Sequence, residues 1–215
     1  MTSKEVRARI EETGIVAAVR VYTAEEALFA AEAVVAGGIP VVEITLTVPQ
    51  ATEVISHLVK KHPDMVVGAG GVTDTALARQ CLDAGAQFLT SDGLHLAVIE
   101  FAVKQDVIVF PGALTPTEVM TAWEAHADFV KVVPCSQIGG ETYIGSLHRM
   151  FPHIPLIAAG GVSQKNASKF IFAGATALGI GRELLPTDAL RHRQAGRIGN
   201  LARRFLSSVK SGREH

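Results

Sequence analysis

The sequence predicts an α/β fold, a single (β/α)8 TIM barrel, from two interleaved patterns within a length of 215 residues. In one pattern a helix ends and a strand follows, at stretches that begin with Ala36, Ala84, Ala125 and Ala173. In the other a strand runs into a glycine turn and a helix, at Gly70, Gly112 and Gly160. Strands that alternate with helices pair in parallel, and eight such units fit one barrel. The alternative, a doubly wound open sheet, would not show this even pairing.

The elements follow this plan along the chain. A first strand at about residues 15–20 precedes an Ala/Glu-rich helix over residues 24–35. We expect N-caps at Thr73, Thr115 and Ser163, because threonine and serine side chains satisfy the first free amides of a helix. The barrel should occupy about residues 13–186, and a basic amphipathic helix about residues 193–210. Residues 1–215 are expected to form one domain.

Composition excludes several classes of protein. The formal net charge is −1, and nucleic-acid or membrane-surface proteins need a basic excess. The two cysteines, Cys81 and Cys135, lie far apart, and no metal-ligand spacing is visible. No signal peptide, spanning segment or dinucleotide fingerprint stands out. We therefore expect a cytoplasmic protein with a small-molecule substrate, without nucleic acid or membrane partners, and without metal or cofactor.

One lysine lies in an apolar strand, Phe129–Pro134, where an ammonium group is costly to bury. Burial favours the free amine, the nucleophile of Schiff-base chemistry, so Lys131 is the candidate nucleophile. In strand two, Glu43 alternates with Val42 and Ile44 and should point into the lumen as a general acid and base. Two structural interpretations of this lysine stay open. Lys131 ends its strand early and extends its ammonium group to water, or it forms an ion pair with Glu43 that has no part in catalysis.

The remaining candidates lie at strand ends, where TIM barrels carry their active sites. Arg20 ends strand one and is suited to bind a carboxylate or phosphate, or is a surface residue. Glycine turns follow strands seven and eight, which is where these barrels often bind phosphate. The candidates there are Gly160, Gly161, Gly181 and Arg182; the arginine could also be solvated.

With these features the chain, from about Thr13 to Pro186, resembles the bacterial 2-keto-3-deoxy-6-phosphogluconate (KDPG) and 4-hydroxy-2-oxoglutarate aldolase family. The motifs that carry the resemblance are Val42–Leu46, Gly68–Gly70, Ala84–Phe88, Phe110–Gly112, Phe129–Pro134 and Gly160–Val162. The resemblance implies a metal-free class I aldolase and a homotrimer. It also implies that Lys131 attacks the C2 carbonyl and that Glu43 shuttles protons through a water, releasing pyruvate and glyceraldehyde 3-phosphate.

The substrate shell departs from the family pattern. Thr47 replaces the arginine that holds the substrate carboxylate, and Arg20 stands where the 6-phosphogalactonate branch carries one. Gly71 replaces a threonine that contacts pyruvate. Asp92 replaces the proline of a Ser-Pro-Gly turn and puts a negative charge near Lys131, which opposes nucleophilicity. Further replacements are Val133 for an aromatic residue, Ala159 for threonine and Arg182 for serine.

Three hypotheses follow for the function. The first is cleavage of 2-keto-3-deoxy-6-phosphogluconate or its galactonate epimer. The second is the same chemistry on another 2-keto acid, such as 4-hydroxy-2-oxoglutarate. The third is a barrel that binds a ligand and has lost turnover, which the changes at Gly71 and Asp92 suggest.

Overall fold

The computed structural model describes residues 1–214, over which strands and helices alternate. The strands are β1 (Ile15–Val19), β2 (Val41–Thr45), β3 (Val66–Gly70), β4 (Phe88–Thr90), β5 (Ile108–Phe110), β6 (Gly112–Ala113), β7 (Val130–Val132), β8 (Leu156–Ala159) and β9 (Ala175–Ile180). The helices are α1 (Ser3–Thr13), α2 (Ala24–Ala36), α3 (Ala51–Lys61), α4 (Thr75–Asp83), α5 (Leu96–Lys104), α6 (Pro116–Glu124), α7 (Gly140–Met150), α8 (Ala167–Phe172), α9 (Thr187–Arg191) and α10 (Ala195–Arg213). A short 3₁₀ turn spans Ser136–Ile138.

The nine strands form one parallel sheet that closes on itself. Their order is β5-β4-β3-β2-β1-β9-β8-β7-β6, so β5 and β6 are its two ends. Only Pro111, which has no amide hydrogen to donate, separates β5 from β6 in the chain. The two ends are therefore parts of one interrupted strand, and the barrel has eight strand positions. The predicted (β/α)8 TIM barrel is confirmed.

One end of the barrel lumen is filled by apolar side chains. Every strand position contributes to this group, and α1 covers it from below with Val6 and Ile10. We call it the lumen plug: Val16, Val41, Val66, Phe88, Ile108, Phe110, Phe129, Ile157 and Ala177. The rings of Phe88 and Phe110 stack with centroids 5.1 Å apart. The plug thus closes the end of the barrel at which the strands begin.

Toward the other end, the lumen is lined by small or polar residues. Side chains alternate between the two faces of a strand, so residues two or four positions beyond a plug residue also face inward. We call this set the upper ring: Ala18, Glu43, Gly70, Thr90, Gly112, Lys131, Ala159 and Gly179. The residues between them, such as Val42, Leu89 and Val130, pack outward against the helices. The upper ring is the end at which chemistry is expected in this fold.

The helix ends correct part of the sequence interpretation. The capping box at Thr115 is confirmed, with the Glu118 amide donating to the Thr115 hydroxyl. The N-cap of α4 is Asp74 and not Thr73, because the Asp74 carboxylate accepts from the Leu77 amide at 2.8 Å. The N-cap of α8 is Asn166 and not Ser163.

The two termini also differ in detail from the sequence interpretation. The helix expected over residues 193–210 runs over Ala195–Arg213 and follows the separate short helix α9. At the other end, α1 was not predicted, although Thr2 and Glu5 form a capping box at its start. Over residues 1–214, the helices are too short or too polar to cross a membrane.

Candidate active site

Lys131 is a buried cation in the upper ring. Its neighbours Val130 and Val132 face the helices, so alternation along β7 turns Lys131 inward, on the side of Phe129. Only 5% of the residue is exposed. The ammonium nitrogen Nζ donates to Thr90 Oγ1 at 2.8 Å and to Asp92 Oδ1 at 2.8 Å. Both acceptors reduce the cost of burying the charge.

Glu43 is the buried carboxylate of the same ring. It alternates with outward-facing Val42 and Ile44 on β2 and is 6% exposed. Its carboxylate lies over Gly70 of β3, where an added Cβ would be 2.0 Å from Oε1. The missing side chain of Gly70 is therefore what makes room for the Glu43 carboxylate.

The hydroxyl of Thr90 joins these two charged groups. It accepts from Lys131 Nζ and lies 3.3 Å from Glu43 Oε2, to which it donates. In the described residues no ion pair within 4.0 Å joins Lys131 directly to Glu43, so the structural ion pair considered from the sequence is wrong. Sequence analysis missed Thr90, which ends an otherwise apolar strand. The sequence feature that could have identified Thr90 is its position two residues after Phe88, because alternation along β4 then places both side chains in the lumen.

Asp92 links the buried lysine to an arginine at the barrel mouth. Its Oδ1 accepts from Lys131, and its Oδ2 is 3.4 Å from a guanidinium nitrogen of Arg20. Burial alone would raise the pKa of Asp92, but the nearby Lys131 and Arg20 charges outweigh it, so the pKa lies below its usual value. The turn itself is fixed by Ser91, whose hydroxyl donates to the Gly93 carbonyl at 2.7 Å.

Gly112 allows this turn to approach the lumen. A Cβ at Gly112 would lie 2.3 Å from the carbonyl carbon of Asp92. No side chain could be inserted there without moving the turn. The close approach keeps Asp92 within hydrogen-bond distance of Lys131, which pairs with Gly112 in the β6–β7 register.

Residues at the end of β2 line the mouth beside Arg20. Thr45 donates to the Val19 carbonyl at 3.1 Å, and its hydroxyl lies 2.9 Å from that of Thr47. Thr47 is exposed.

Gly71 follows β3 with φ +78°, and an added Cβ would meet open space. The left-handed φ favours glycine here.

Arg20, Thr47, Gly181 and Arg182 share one cavity beside the mouth. It has a volume of about 430 Å³ and is also lined by Arg191 of α9. Arg182 and Arg191 are both exposed. Among the residues described, neither has a carboxylate within 4.0 Å, whereas Arg20 is paired with Asp92. Three guanidinium groups line this cavity with one carboxylate, that of Glu26, and this positive balance favours an anionic ligand.

Gly160 and Gly161 form a separate turn after β8. Both have left-handed φ values, +79° and +85°. The Ser136 hydroxyl donates to the Gly161 carbonyl at 2.8 Å, which ties this turn to the loop after β7. Neither glycine lines the arginine cavity as the described chain defines it. The four predicted phosphate residues are therefore divided between two loops.

The last two predicted pocket residues, Val133 and Ala159, lie near this turn. Val133 is half-buried, and its Cγ2 would be 3.4 Å from a Cβ at Gly160. Ala159 is buried in the upper ring, and a Cβ at Gly179 would be 2.9 Å from the Ala159 Cβ. Larger side chains at either position would narrow the mouth.

The arrangement combines a buried primary amine, a buried carboxylate and an exposed arginine at one strand end. A lysine amine can add to a ketone carbonyl, and a carboxylate can move protons at the adduct. An arginine can hold the carboxylate of a keto acid in bidentate fashion. Over residues 1–214, no group of three or more His, Cys, Asp or Glu side chains could hold a metal ion.

Comparison with known proteins gives the family of the chain. The family model described as KDPG and KHG aldolase matches residues 6–201. The chain is 33% identical to 2-dehydro-3-deoxy-6-phosphogalactonate aldolase of Escherichia coli (strain K12) over 202 residues, covering 93% of the chain and 95% of that protein. It is 32% identical to 2-dehydro-3-deoxy-phosphogluconate aldolase of Dickeya dadantii (strain 3937), covering 86% and 87% of the two chains. KDPG aldolase from Legionella pneumophila, solved with pyruvate captured as a covalent carbinolamine intermediate, superposes with a TM-score of 0.85 at 26% identity, covering 92% of this chain and 96% of that one. The chain belongs to the KDPG and KHG aldolase family.

Proposed function

We propose that the protein is a class I aldolase, a carbon–carbon lyase that cleaves a phosphorylated 2-keto-3-deoxy sugar acid through an imine on Lys131. The observation that carries this proposal is the lysine in the upper ring, 5% exposed and connected through Thr90 to the Glu43 carboxylate. Burying an ammonium group costs free energy, and a function in catalysis accounts for a lysine at this position. An amine nucleophile beside a proton-carrying carboxylate is what imine chemistry requires.

Imine formation uses the lysine and the glutamate in turn. Lys131 first loses a proton, and its neutral amine adds to the C2 carbonyl carbon of the keto acid. The C2 oxygen gains a proton while the nitrogen releases one, which gives a neutral carbinolamine. Glu43, as the carboxylic acid, then donates a proton to the departing C2 hydroxyl. Water leaves, and the protonated imine remains on Lys131.

Bond cleavage uses Glu43 in the opposite direction. The Glu43 carboxylate accepts the proton of the C4 hydroxyl as the C3–C4 bond breaks. The electron pair of that bond moves to the imine, forming a neutral pyruvate enamine and releasing an aldehyde, glyceraldehyde 3-phosphate. Glu43 returns its proton to C3, and hydrolysis of the imine frees pyruvate and Lys131.

The mouth supplies the groups that would hold the two anionic ends of the substrate. Arg20, with Thr47 and Gly71 beside it, would bind the keto-acid carboxylate after exchanging its contact with Asp92. Arg182 and Gly181, and the separate Gly160–Gly161 turn, are the candidates for the phosphate. Asp92, Val133 and Ala159 shape the pocket between these ends. With Arg20 assigned to the keto-acid carboxylate, Arg182 and Arg191 around the 430 Å³ cavity favour a substrate with a second anionic group, either a phosphate or the distal carboxylate of 4-hydroxy-2-oxoglutarate.

Assembly and location extend the same proposal. The family resemblance supports a homotrimer, which light scattering of the purified protein would test. The two free, buried cysteines support a reducing, cytoplasmic location. Fractionation of the source cells would test that location.

The test of the function is trapping of the imine. Borohydride reduction with excess pyruvate should leave a covalent adduct on the peptide that contains Lys131, detected by mass spectrometry. Lys131→Ala should abolish the adduct, and Lys104→Ala, which removes an exposed lysine from α5, should not. A folded wild-type protein without an adduct would favour a barrel that only binds ligand. If the adduct does form, the cleavage rates of phosphorylated and unphosphorylated keto acids separate the two aldolase hypotheses.

A further inference from the structure

We propose that the Thr90 hydroxyl is the proton relay that converts Lys131 from ammonium to amine by passing its proton to Glu43. This inference rests on the proposed function, because a relay has a purpose only if Lys131 acts as a nucleophile. It assigns a chemical role to a residue at the end of an apolar strand, and it replaces the water that was expected between Glu43 and the lysine.

The direction of the two hydrogen bonds carries the proposal. Lys131 Nζ donates to Thr90 Oγ1 at 2.8 Å, and Thr90 Oγ1 donates to Glu43 Oε2 at 3.3 Å. A hydroxyl has one proton to give and lone pairs to accept another. Thr90 therefore uses its acceptor toward the cation and its donor toward the carboxylate, which is the polarity that a relay needs.

Burial excludes bulk water from this path. Thr90 is 1% exposed, and Lys131 and Glu43 are nearly as deep. The strand register fixes the position of Thr90 relative to Glu43. Strands β2, β3 and β4 are paired in parallel, and Gly70 of β3 pairs with Thr90. In the described residues no contact within 4.0 Å joins Lys131 Nζ directly to the Glu43 carboxylate, and the Thr90 hydroxyl connects them through two hydrogen bonds.

The proton transfers balance as follows. One proton leaves Nζ for Thr90 Oγ1 as the Thr90 hydroxyl proton passes to Glu43 Oε2. Lys131 becomes the neutral amine, Glu43 becomes the carboxylic acid, and Thr90 ends as it began. The proton now on Glu43 is the one that the carbinolamine needs to lose water. The net transfer of one proton from Lys131 to Glu43 thus activates the nucleophile and supplies the proton for the next step.

The other charged groups around Lys131 do not replace this path. Asp92 also accepts from Nζ at 2.8 Å, but its second oxygen faces Arg20, and both cations favour its ionised form. Asp92 therefore holds the ammonium and is a weak base toward it. Its side chain is also 56% exposed, so a proton on it would exchange with solvent and be lost to the carbinolamine. Gly112 and Ile157, which pair with Lys131 on either side, bring no titratable group.

The test compares Thr90→Val, which keeps the branched shape but removes the hydroxyl, with Thr90→Ser, which keeps the hydroxyl. The rate of adduct formation with pyruvate is measured by rapid quenching in borohydride from pH 6 to 10. At neutral pH, Thr90→Val should be slower by about 10²-fold, the usual size of a lost general acid–base step. The difference should shrink as the pH rises, because solution base then deprotonates Lys131 directly. Thr90→Ser should follow the wild-type profile.

The outcomes separate this inference from the proposed function. If wild type forms no adduct on Lys131, both fail. If wild type forms the adduct but Thr90→Val is slowed equally at every pH, or Thr90→Ser is as slow as Thr90→Val, Thr90 only positions the lysine and the relay is overturned. Thermal unfolding checks that the variants are folded, and Thr90→Ala supplies the same deletion if valine is not accommodated.

Discussion

The lumen plug and the upper ring are built on the same eight strand positions, yet they differ in side-chain size, polarity and charge. The plug contains large side chains such as Phe88, Phe110 and Phe129, whose rings contact one another. The upper ring contains glycine and alanine at five positions, with Glu43, Thr90 and Lys131 at the others. Each strand therefore supplies packing at its beginning and space or charge at its end.

This difference shows where the fold derives stability and where it loses some. Each buried aromatic ring of the plug contributes about 2 kcal/mol or more through apolar burial. The upper ring buries an ammonium and a carboxylate, which is unfavourable unless both are hydrogen-bonded. Thr90 contacts both groups, and Asp92 contacts the lysine. The stability gained from apolar burial in the plug therefore offsets the cost of burying these charged groups in the upper ring.

The largest expected effect comes from opening the plug. Phe88→Ala removes a fully buried ring and should lower the free energy of unfolding by about 3–5 kcal/mol. Urea denaturation measures this loss, and kcat of the folded fraction should stay close to wild type. The control, Tyr22→Ala, removes a ring that is 84% exposed and should change stability by less than about 0.5 kcal/mol. An inactive but stable Phe88→Ala would contradict the division of roles.

Filling the upper ring should have the next largest effect, and on activity. Gly70→Ala puts a Cβ 2.0 Å from Glu43 Oε1, so the carboxylate must move away from Thr90. We expect kcat to fall by about 10²-fold, the size of a misplaced general base. Stability should fall by only about 1–3 kcal/mol. Gly196→Ala in α10 is the matched control, because its Cβ meets nothing within 4 Å. Normal turnover in Gly70→Ala would remove Glu43 from the chemistry.

The contrast also explains what could be read from the sequence. Alternation within one strand is local, so the inward positions of Glu43 and Lys131 were predictable from their apolar neighbours. The spacing of alanine and glycine at helix ends predicted the eight units. One of these helix ends has His126 where the others have glycine, and His126 also adopts a left-handed conformation, with φ 68°. These features depend on residues close in the chain.

The contacts between strands could not be predicted in the same way. Thr90 lies 47 residues from Glu43 and 41 residues from Lys131, so its bridging position depends on the register of several strand pairs. Asp92 and Arg20 are 72 residues apart, and their pairing requires the β4–α5 turn to reach across the mouth. The start of α1 was different, since Thr2 and Glu5 carried a capping-box signal that was overlooked.

A smaller effect is expected where the upper ring meets solvent. Arg20→Ala removes the cation proposed to bind the keto-acid carboxylate and should raise KM for the keto-acid substrate by about tenfold, corresponding to roughly 1.4 kcal/mol. Because Arg20 is exposed, the free energy of unfolding should change little. Steady-state kinetics measure the effect. Arg203→Ala, on the outer helix α10, is the control that should leave KM unchanged, and an unaltered KM in Arg20→Ala would remove Arg20 from the carboxylate site.

The smallest effects should come from Asp92→Asn. The folded-state pKa of Asp92 lies below its usual value, so the carboxylate stabilises the fold above the unfolded-state pKa of about 3.9. That stability is lost as the pH falls through the lower folded-state pKa. Asp92→Asn should therefore be less stable than wild type at pH 7, by at most about 1 kcal/mol because the side chain is 56% exposed. The difference should shrink as the pH falls below the unfolded-state pKa and vanish below the lower folded-state pKa.

Activity of Asp92→Asn should change in the opposite direction. Without the negative charge, Lys131 is held less tightly in its resting contact and Arg20 is free to meet the substrate, so kcat/KM should rise by about fivefold, equivalent to roughly 1 kcal/mol. Glu32→Gln, which removes a carboxylate paired with Lys61 between α2 and α3, is the control that should leave kcat/KM unchanged. A loss of activity in Asp92→Asn would mean that the carboxylate takes part in the reaction. A gain in activity with a loss of stability would instead show that the mouth of this barrel holds its nucleophile in a stable resting pair, at the expense of rate.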